Sequence, residues 1–168
     1  MSQDPPKGRI LALDIGSVRV GAAITDPTGV IAQALAVWPV EGDNRGGRGW
    51  RFHFEECLKR YDPVLVLLGL PRRTDGTLGP EAERISSLVE KLRARHPDRT
   101  FELWDERFTT TLAQRALLEA DVSRKKRREH VDKVAATLIL QSWLESAAAK
   151  AFRAPSRGRD IEATTFRE

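Results

Sequence analysis

The periodicity of the chain changes at Pro63, and that change limits the folds open to it. Before it, three apolar segments of strand length follow one another, Arg9 to Asp14, Arg19 to Thr25 and Val30 to Trp38. Gly16 marks the first turn and Asp26-Pro27-Thr28-Gly29 the second, and turns this short join antiparallel neighbours. After it, strand-like runs alternate with helical periodicity. Val64 to Leu68 is continuously apolar, as suits a strand covered on both faces, and Phe101 to Trp104 is the next such run. Between them Ala82, Ile85, Leu88, Val89 and Leu92 recur on one helical face, with Pro80 near the first turn and Pro97-Asp98 beyond the end. A meander followed by two βα-linked strands predicts an α/β fold: one mixed five-stranded sheet with helices on its faces.

The remaining segments fit around that sheet. Gly42 to Gly49 lacks the Gly-Lys-Ser/Thr ending of a phosphate-binding loop and reads as a mobile connection to a helix over Trp50 to Arg60. Thr109-Thr110-Thr111 can cap a helix running to about Glu119. A further helix is expected from about Glu129 to Ala149, where Asp132, Ala135, Ala136, Ile139 and Trp143 recur at helical spacing. The chain has the length of one domain, 1–150 with an ordered core over about 9–149; the polar, arginine-rich stretch 151–168 is expected to be a disordered tail.

Composition removes several kinds of chemistry. Cys57 is the single cysteine, so neither an internal disulfide nor a cysteine-based zinc site is available. His53, His96 and His130 lack metal-ligand spacing and read as solvated surface residues; a bound metal would have to be held by oxygen. No run approaches the ~18 apolar residues of a membrane span, and no apolar signal core follows Met1, so no membrane partner and a cytoplasmic location are expected. The formal charge of +4 permits a polyanionic partner, and its distribution is informative. Arg124-Lys125-Lys126-Arg127-Arg128 precedes Asp132, and Arg72-Arg73 follows Gly69-Leu70-Pro71.

Acidic residues stand at the boundaries of the expected elements. Asp14 ends the first apolar run at a Gly-containing turn, Asp105-Glu106 ends the last strand, and Asp132 lies near the head of a long apolar helix. A charge on or beside a buried stripe is costly without a partner. Each has a plain structural alternative: a turn cap for Asp14, a surface ion pair for Glu106, a helix-start residue for Asp132. Brought together, the three would form an oxygen-donor site for Mg²⁺ or Mn²⁺, which can activate water for hydrolysis without a nucleophilic side chain. Clustered carboxylates repel, so acidity should oppose metal binding and activity should rise with pH. The order of elements is that of the RNase H-like architecture, whose nucleases gather carboxylates from such positions.

The chain closely resembles the YqgF/RuvX family of bacterial Holliday junction resolvases or pre-16S ribosomal RNA nucleases. The resemblance rests on Leu13-Asp14-Ile15-Gly16 with Arg19-Val20-Gly21, Gly69-Leu70-Pro71 with Asp75-Gly76, Asp105-Glu106-Arg107-Phe108-Thr109-Thr110, and Val131-Asp132-Lys133-Val134-Ala135-Ala136. Ile15 stands where an aromatic is common in the family. The resemblance implies Asp14, Glu106 and Asp132 as catalytic metal ligands, with Asp105, Thr109 and Thr110 supporting them. Arg19, Arg72, Arg107, Lys125 and Lys126 are candidate nucleic-acid contacts, Trp104 a core residue and Trp50 the better base-stacking candidate. The expected activity is cleavage of structured RNA, such as pre-16S rRNA, or of branched DNA, by a monomer or a homodimer. Competing readings are a nucleic-acid-binding module without turnover and, from the Asp-Ile-Gly hairpin, a small actin-like ATPase.

Overall fold

A computed structural model describes residues 8–42, 46–106 and 124–153, with backbone alone for 124–132 and 153. Strands β1 (Ile10–Ile15), β2 (Arg19–Thr25), β3 (Ala32–Pro39), β4 (Leu65–Leu70) and β5 (Phe101–Asp105) form one sheet in the order β3-β2-β1-β4-β5. β2 runs antiparallel to both β1 and β3, whereas β4 runs parallel to both β1 and β5. The mixed sheet and its meander-then-crossover order are those expected from the sequence, and the topology is RNase H-like. Helices α1 (Trp50–Tyr61), α2 (Pro80–Arg95), α3 (Arg124–Leu144) and α4 (Ala147–Arg153) complete the described elements.

The period-2 alternation of the strands divides the core into two layers. Leu11, Leu13, Val66 and Leu68 pack with Phe54 and Leu58 of α1 and Ile85 and Val89 of α2. On the other face Ile10, Ala12, Leu65 and Leu67 pack with Ala136, Ile139, Leu140 and Trp143 of α3. β4 is buried along its whole length, which explains its uninterrupted apolar run. Each fully buried Leu, Ile or Val among them contributes ~1.5–3 kcal/mol of transfer free energy.

Several expectations are corrected. The third strand begins at Ala32, not Val30, because the Asp26 carboxylate accepts the N–H groups of Val30 at 2.9 Å and Ile31 at 2.8 Å and holds both residues in the turn. The last long helix begins at Arg124, so the Arg124 to Arg128 run lies in its first turns. It stops at Leu144; Ser146 then starts α4, its Oγ accepting from the Ala149 N–H at 3.3 Å, and residues 151–153 continue that helix. Trp50 is buried against Phe54 and is not a stacking platform, because the first turn of α1 carries it into the core. His96 is largely buried, with Nε2 3.1 Å from Glu55 Oε1 and its ring against Phe54 and Phe101. His53 is half-buried, stacked on Trp38 at 5.8 Å. Trp104 is tied to the core, donating its indole N–H to Ser142 Oγ at 3.0 Å. The expected helix over Thr109 to Glu119, part of the Gly42 to Gly49 connection and most of the tail lie outside the described residues.

Candidate active site

The parallel pairing of β1, β4 and β5 brings their C-terminal ends to one edge of the sheet. Asp14 is the penultimate residue of β1, opposite Gly21 of β2; Gly69 is next to last in β4 and pairs with Trp104; Glu106 follows directly after β5. Side-chain parity then sorts these residues by face. Asp14 shares the α3 face with Ile10 and Ala12, and Gly69 shares it with Leu65 and Leu67. Of the two adjacent carboxylates, Glu106 comes to that face and meets Asp14, to which it is hydrogen-bonded. Asp105 turns to Arg72, whose Nε lies 2.7 Å from its Oδ2.

The meeting of Asp14 and Glu106 has an electrostatic consequence. Burial, the Asp14 charge and the hydrogen bond between the two carboxyls push the Glu106 pKa from 4.5 up to about 8, with smaller contributions from Glu81 and Asp105. Near neutral pH the pair therefore holds a proton between its oxygens. A hard divalent cation would satisfy the same two carboxylates and displace that proton. The donor chemistry thus fits Mg²⁺ or Mn²⁺.

The site depends on a missing side chain. A methyl group at Gly69 would come within 2.6 Å of Ile139 Cδ1 and 3.2 Å of Glu106 Cδ, and closer still to Glu106 Oε1. Any side chain here would have to push the Glu106 carboxylate and the end of Ile139 aside, so glycine lets the carboxylate sit between β4 and α3. Ile139 also locates α3 over this edge. Asp132 stands four positions before buried Ala136 and seven before Ile139, on the helical stripe that faces the sheet. Its side chain lies outside the described residues, and among the described residues no group of three or more His, Cys, Asp or Glu side chains is placed to hold a metal ion.

The other expected site residues divide in the same way. Arg72 is engaged twice, with Asp105 and through Nη1 with the Gly76 carbonyl at 3.2 Å, and so braces the loop after β4 against the end of β5. Arg19 begins β2, and its carbonyl accepts the Gly16 N–H at 2.9 Å to close the β1–β2 turn. Arg107, Thr109 and Thr110 lie outside the described residues, as do the side chains of Lys125 and Lys126. Two contributors escaped the sequence reading, Glu81 in the first turn of α2 and the spacing role of Gly69. A Gly-Leu-Pro at the end of an otherwise apolar strand signalled the second, since glycine inside a strand often marks a close approach.

The family described as "RuvX: Holliday junction resolvase" matches residues 8–146. A Listeria monocytogenes protein named "Putative pre-16S rRNA nuclease" is 45% identical over 138 residues, covering 82% of this chain and 98% of its own. Proteins of the same name from Clostridium botulinum and Halalkalibacterium halodurans are 41% identical over 141 residues and 39% identical over 137; each covers 82% of this chain, and 97% and 96% of their own lengths. Among solved structures, Thermus thermophilus RuvC with a Holliday junction substrate aligns with 88% of this chain and 99% of that one, at 14% identity and a TM-score of 0.49. With the family match spanning the strands, the carboxylate edge and α3, the chain belongs to the RuvX family.

Proposed function

We propose that this RuvX-family chain is a divalent-metal-dependent endonuclease that hydrolyses phosphodiester bonds in structured nucleic acid. Its relatives carry the name of a pre-16S rRNA nuclease, and processing of that RNA in the cytoplasm is the first expected role; cleavage of branched DNA is the second. The observation that carries the reading is the Asp14–Glu106 pair, two carboxylates brought together across β4 from the ends of the parallel strands β1 and β5, where their mutual repulsion and burial raise the proton affinity of Glu106. Such an arrangement is destabilising in itself, and cation binding gives it a use.

Asp14, Glu106 and Asp132 would hold the ion or ions, as would follow from their shared face and the helical register of Asp132. When bound, Mg²⁺ or Mn²⁺ supplies Lewis acidity toward the phosphate and lowers the pKa of attacking water. The chain's own part is to fix the carboxylates. Gly69 gives Glu106 its position, and the Arg72–Asp105 pair anchors the end of β5 from which Glu106 emerges. Arg19, Arg107, Lys125 and Lys126 are the candidate phosphate contacts, with Thr109 and Thr110 as partners of Glu106 or the scissile phosphate.

The test is an end-labelled cleavage assay offering single-stranded RNA, structured RNA and a four-way DNA junction, with Mg²⁺, Mn²⁺ or chelator. Cleavage should need the cation and vanish in Asp14→Asn, which keeps the side-chain volume but removes the charge. Full turnover by folded Asp14→Asn, or in chelator, would refute the mechanism.

A further inference from the structure

A second site lies on the opposite face of the same sheet edge. A cavity of about 380 Å³ opens between α1, α2 and the end of β1, with an apolar floor that includes Ile15, Val40 and Leu88 and a rim carrying Arg51, Arg84 and Lys91. Among the described residues no carboxylate lines it. Arg84, Leu88 and Lys91 fall at i, i+4 and i+7 of α2, so one helical stripe presents cation, apolar surface and cation in line.

Several other described cations, Arg72, Arg93, Arg95, Arg99 and Lys59, are already engaged with carboxylates. Among the described residues, Arg51, Arg84 and Lys91 have no ion-pair partner, although all three are exposed around one opening. Convergent cations without counter-charges attract an anion, and an apolar floor beside them suits the face of a base. The volume lies within the ~300–1,000 Å³ range of small-ligand sites.

We infer that this cavity seats one nucleotide of the substrate strand beyond the scissile bond, its base over Ile15, Val40 and Leu88 and its phosphate among Arg51, Arg84 and Lys91. The inference rests on the nuclease reading and extends it to the path of the nucleic acid. Ile15 directly follows Asp14 and lies on the other side of the pleat, so the cavity and the carboxylates share the exit of β1 while opening on opposite faces. A strand passing over the β1–β2 turn, where Val18 is 70% exposed, touches both. The cavity therefore contributes affinity and sets the strand's direction across the sheet edge.

The same chemistry would suit a free nucleotide, and the experiment separates the two. Affinity of the Asp14→Asn protein for a fluorescein-labelled structured RNA and a labelled four-way DNA junction is measured by anisotropy across a salt series. The measurement is repeated with Arg84→Ala and Lys91→Ala added, and with Lys59→Ala and Arg95→Ala as a control of equal charge change. Losing the cations that hold this one phosphate should weaken binding and flatten the log-log salt slope by about 0.7–0.9; the control should leave the slope within about 0.3 of its parent. Equal slopes and affinities for the cavity variant and its parent would overturn the proposal. So would calorimetric binding of a nucleoside monophosphate that the cavity variant loses while its oligonucleotide affinity persists. Failure of the wild-type protein to cleave any substrate with Mg²⁺ or Mn²⁺ would instead count against the nuclease reading, because the binding measurement needs no turnover.

Discussion

Replacing Glu106 with Gln should make the metal-free protein more stable in alkaline solution and remove a specific part of its pH dependence. In the unfolded chain Glu106 titrates near 4.5, and in the folded protein near 8. Below 4.5 the carboxyl is protonated in both states and contributes no difference. Between 4.5 and about 8 the folded state retains a proton that the unfolded state releases, so stability falls as pH rises, and above 8 the full cost is present. At ~1.4 kcal/mol per pH unit the cost is bounded near 5 kcal/mol. Screening of the part of the carboxyl that still meets water reduces this to about 2 kcal/mol. For a protein of this size that is roughly 4–8 °C in Tm. Glu106→Gln keeps the volume and can donate to Asp14, so it should lack this decline. Thermal unfolding of both proteins in chelator from pH 4 to 9 tests it: the curves should meet at the acid end and diverge to the alkaline side. Parallel curves would show that Glu106 is ionised in the folded state at neutral pH and would undo the argument for a proton shared with Asp14.

Further outcomes follow from the same geometry. At pH 8.5, Mg²⁺ at about 100 times its Kd should raise wild-type stability by ~2.7 kcal/mol and should stabilise Glu106→Gln much less, read as a Tm shift; apparent Mg²⁺ affinity should rise with pH toward 8 and above. Gly69→Ala should cost about 1–3 kcal/mol through overpacking against Ile139 and Glu106, and lower cleavage by ~10²-fold by moving the carboxylate; an unaltered rate would show that Glu106 needs no such space. Arg72→Ala should destabilise by about 1–3 kcal/mol, because it leaves Asp105 without its main partner; Arg72→Lys, which cannot reproduce both contacts of the guanidinium, should recover only part, as chemical denaturation would measure.

The architecture was legible because its determinants are local and periodic. Three short apolar segments between turn residues dictate an antiparallel meander, and the later runs with a helix between them dictate parallel pairing, whatever the packing detail. The boundaries that differed were settled by side-chain chemistry that periodicity does not carry. Asp26 draws Val30 and Ile31 out of β3, and Ser146 ends one helix and starts the next. Trp50 and His96 were misread because polar neighbours in sequence do not reveal which side of a helix, or which end of a loop, faces the core.

The sequence by itself determined that carboxylates would stand at the ends of strands, and the matched motifs carried the family. Tertiary structure alone decided which carboxylates meet. Asp105 and Glu106 are neighbours in sequence, yet one lies against Arg72 and the other against Asp14, because successive residues at the end of a pleated strand project to opposite faces. The need for glycine at position 69 arises only where β4, α3 and the segment after β5 converge. Proton affinity at Glu106 has the same origin: two charges separated by more than ninety residues of chain become neighbours in a poorly solvated space, and the cost of keeping them both ionised is set by that distance and that burial.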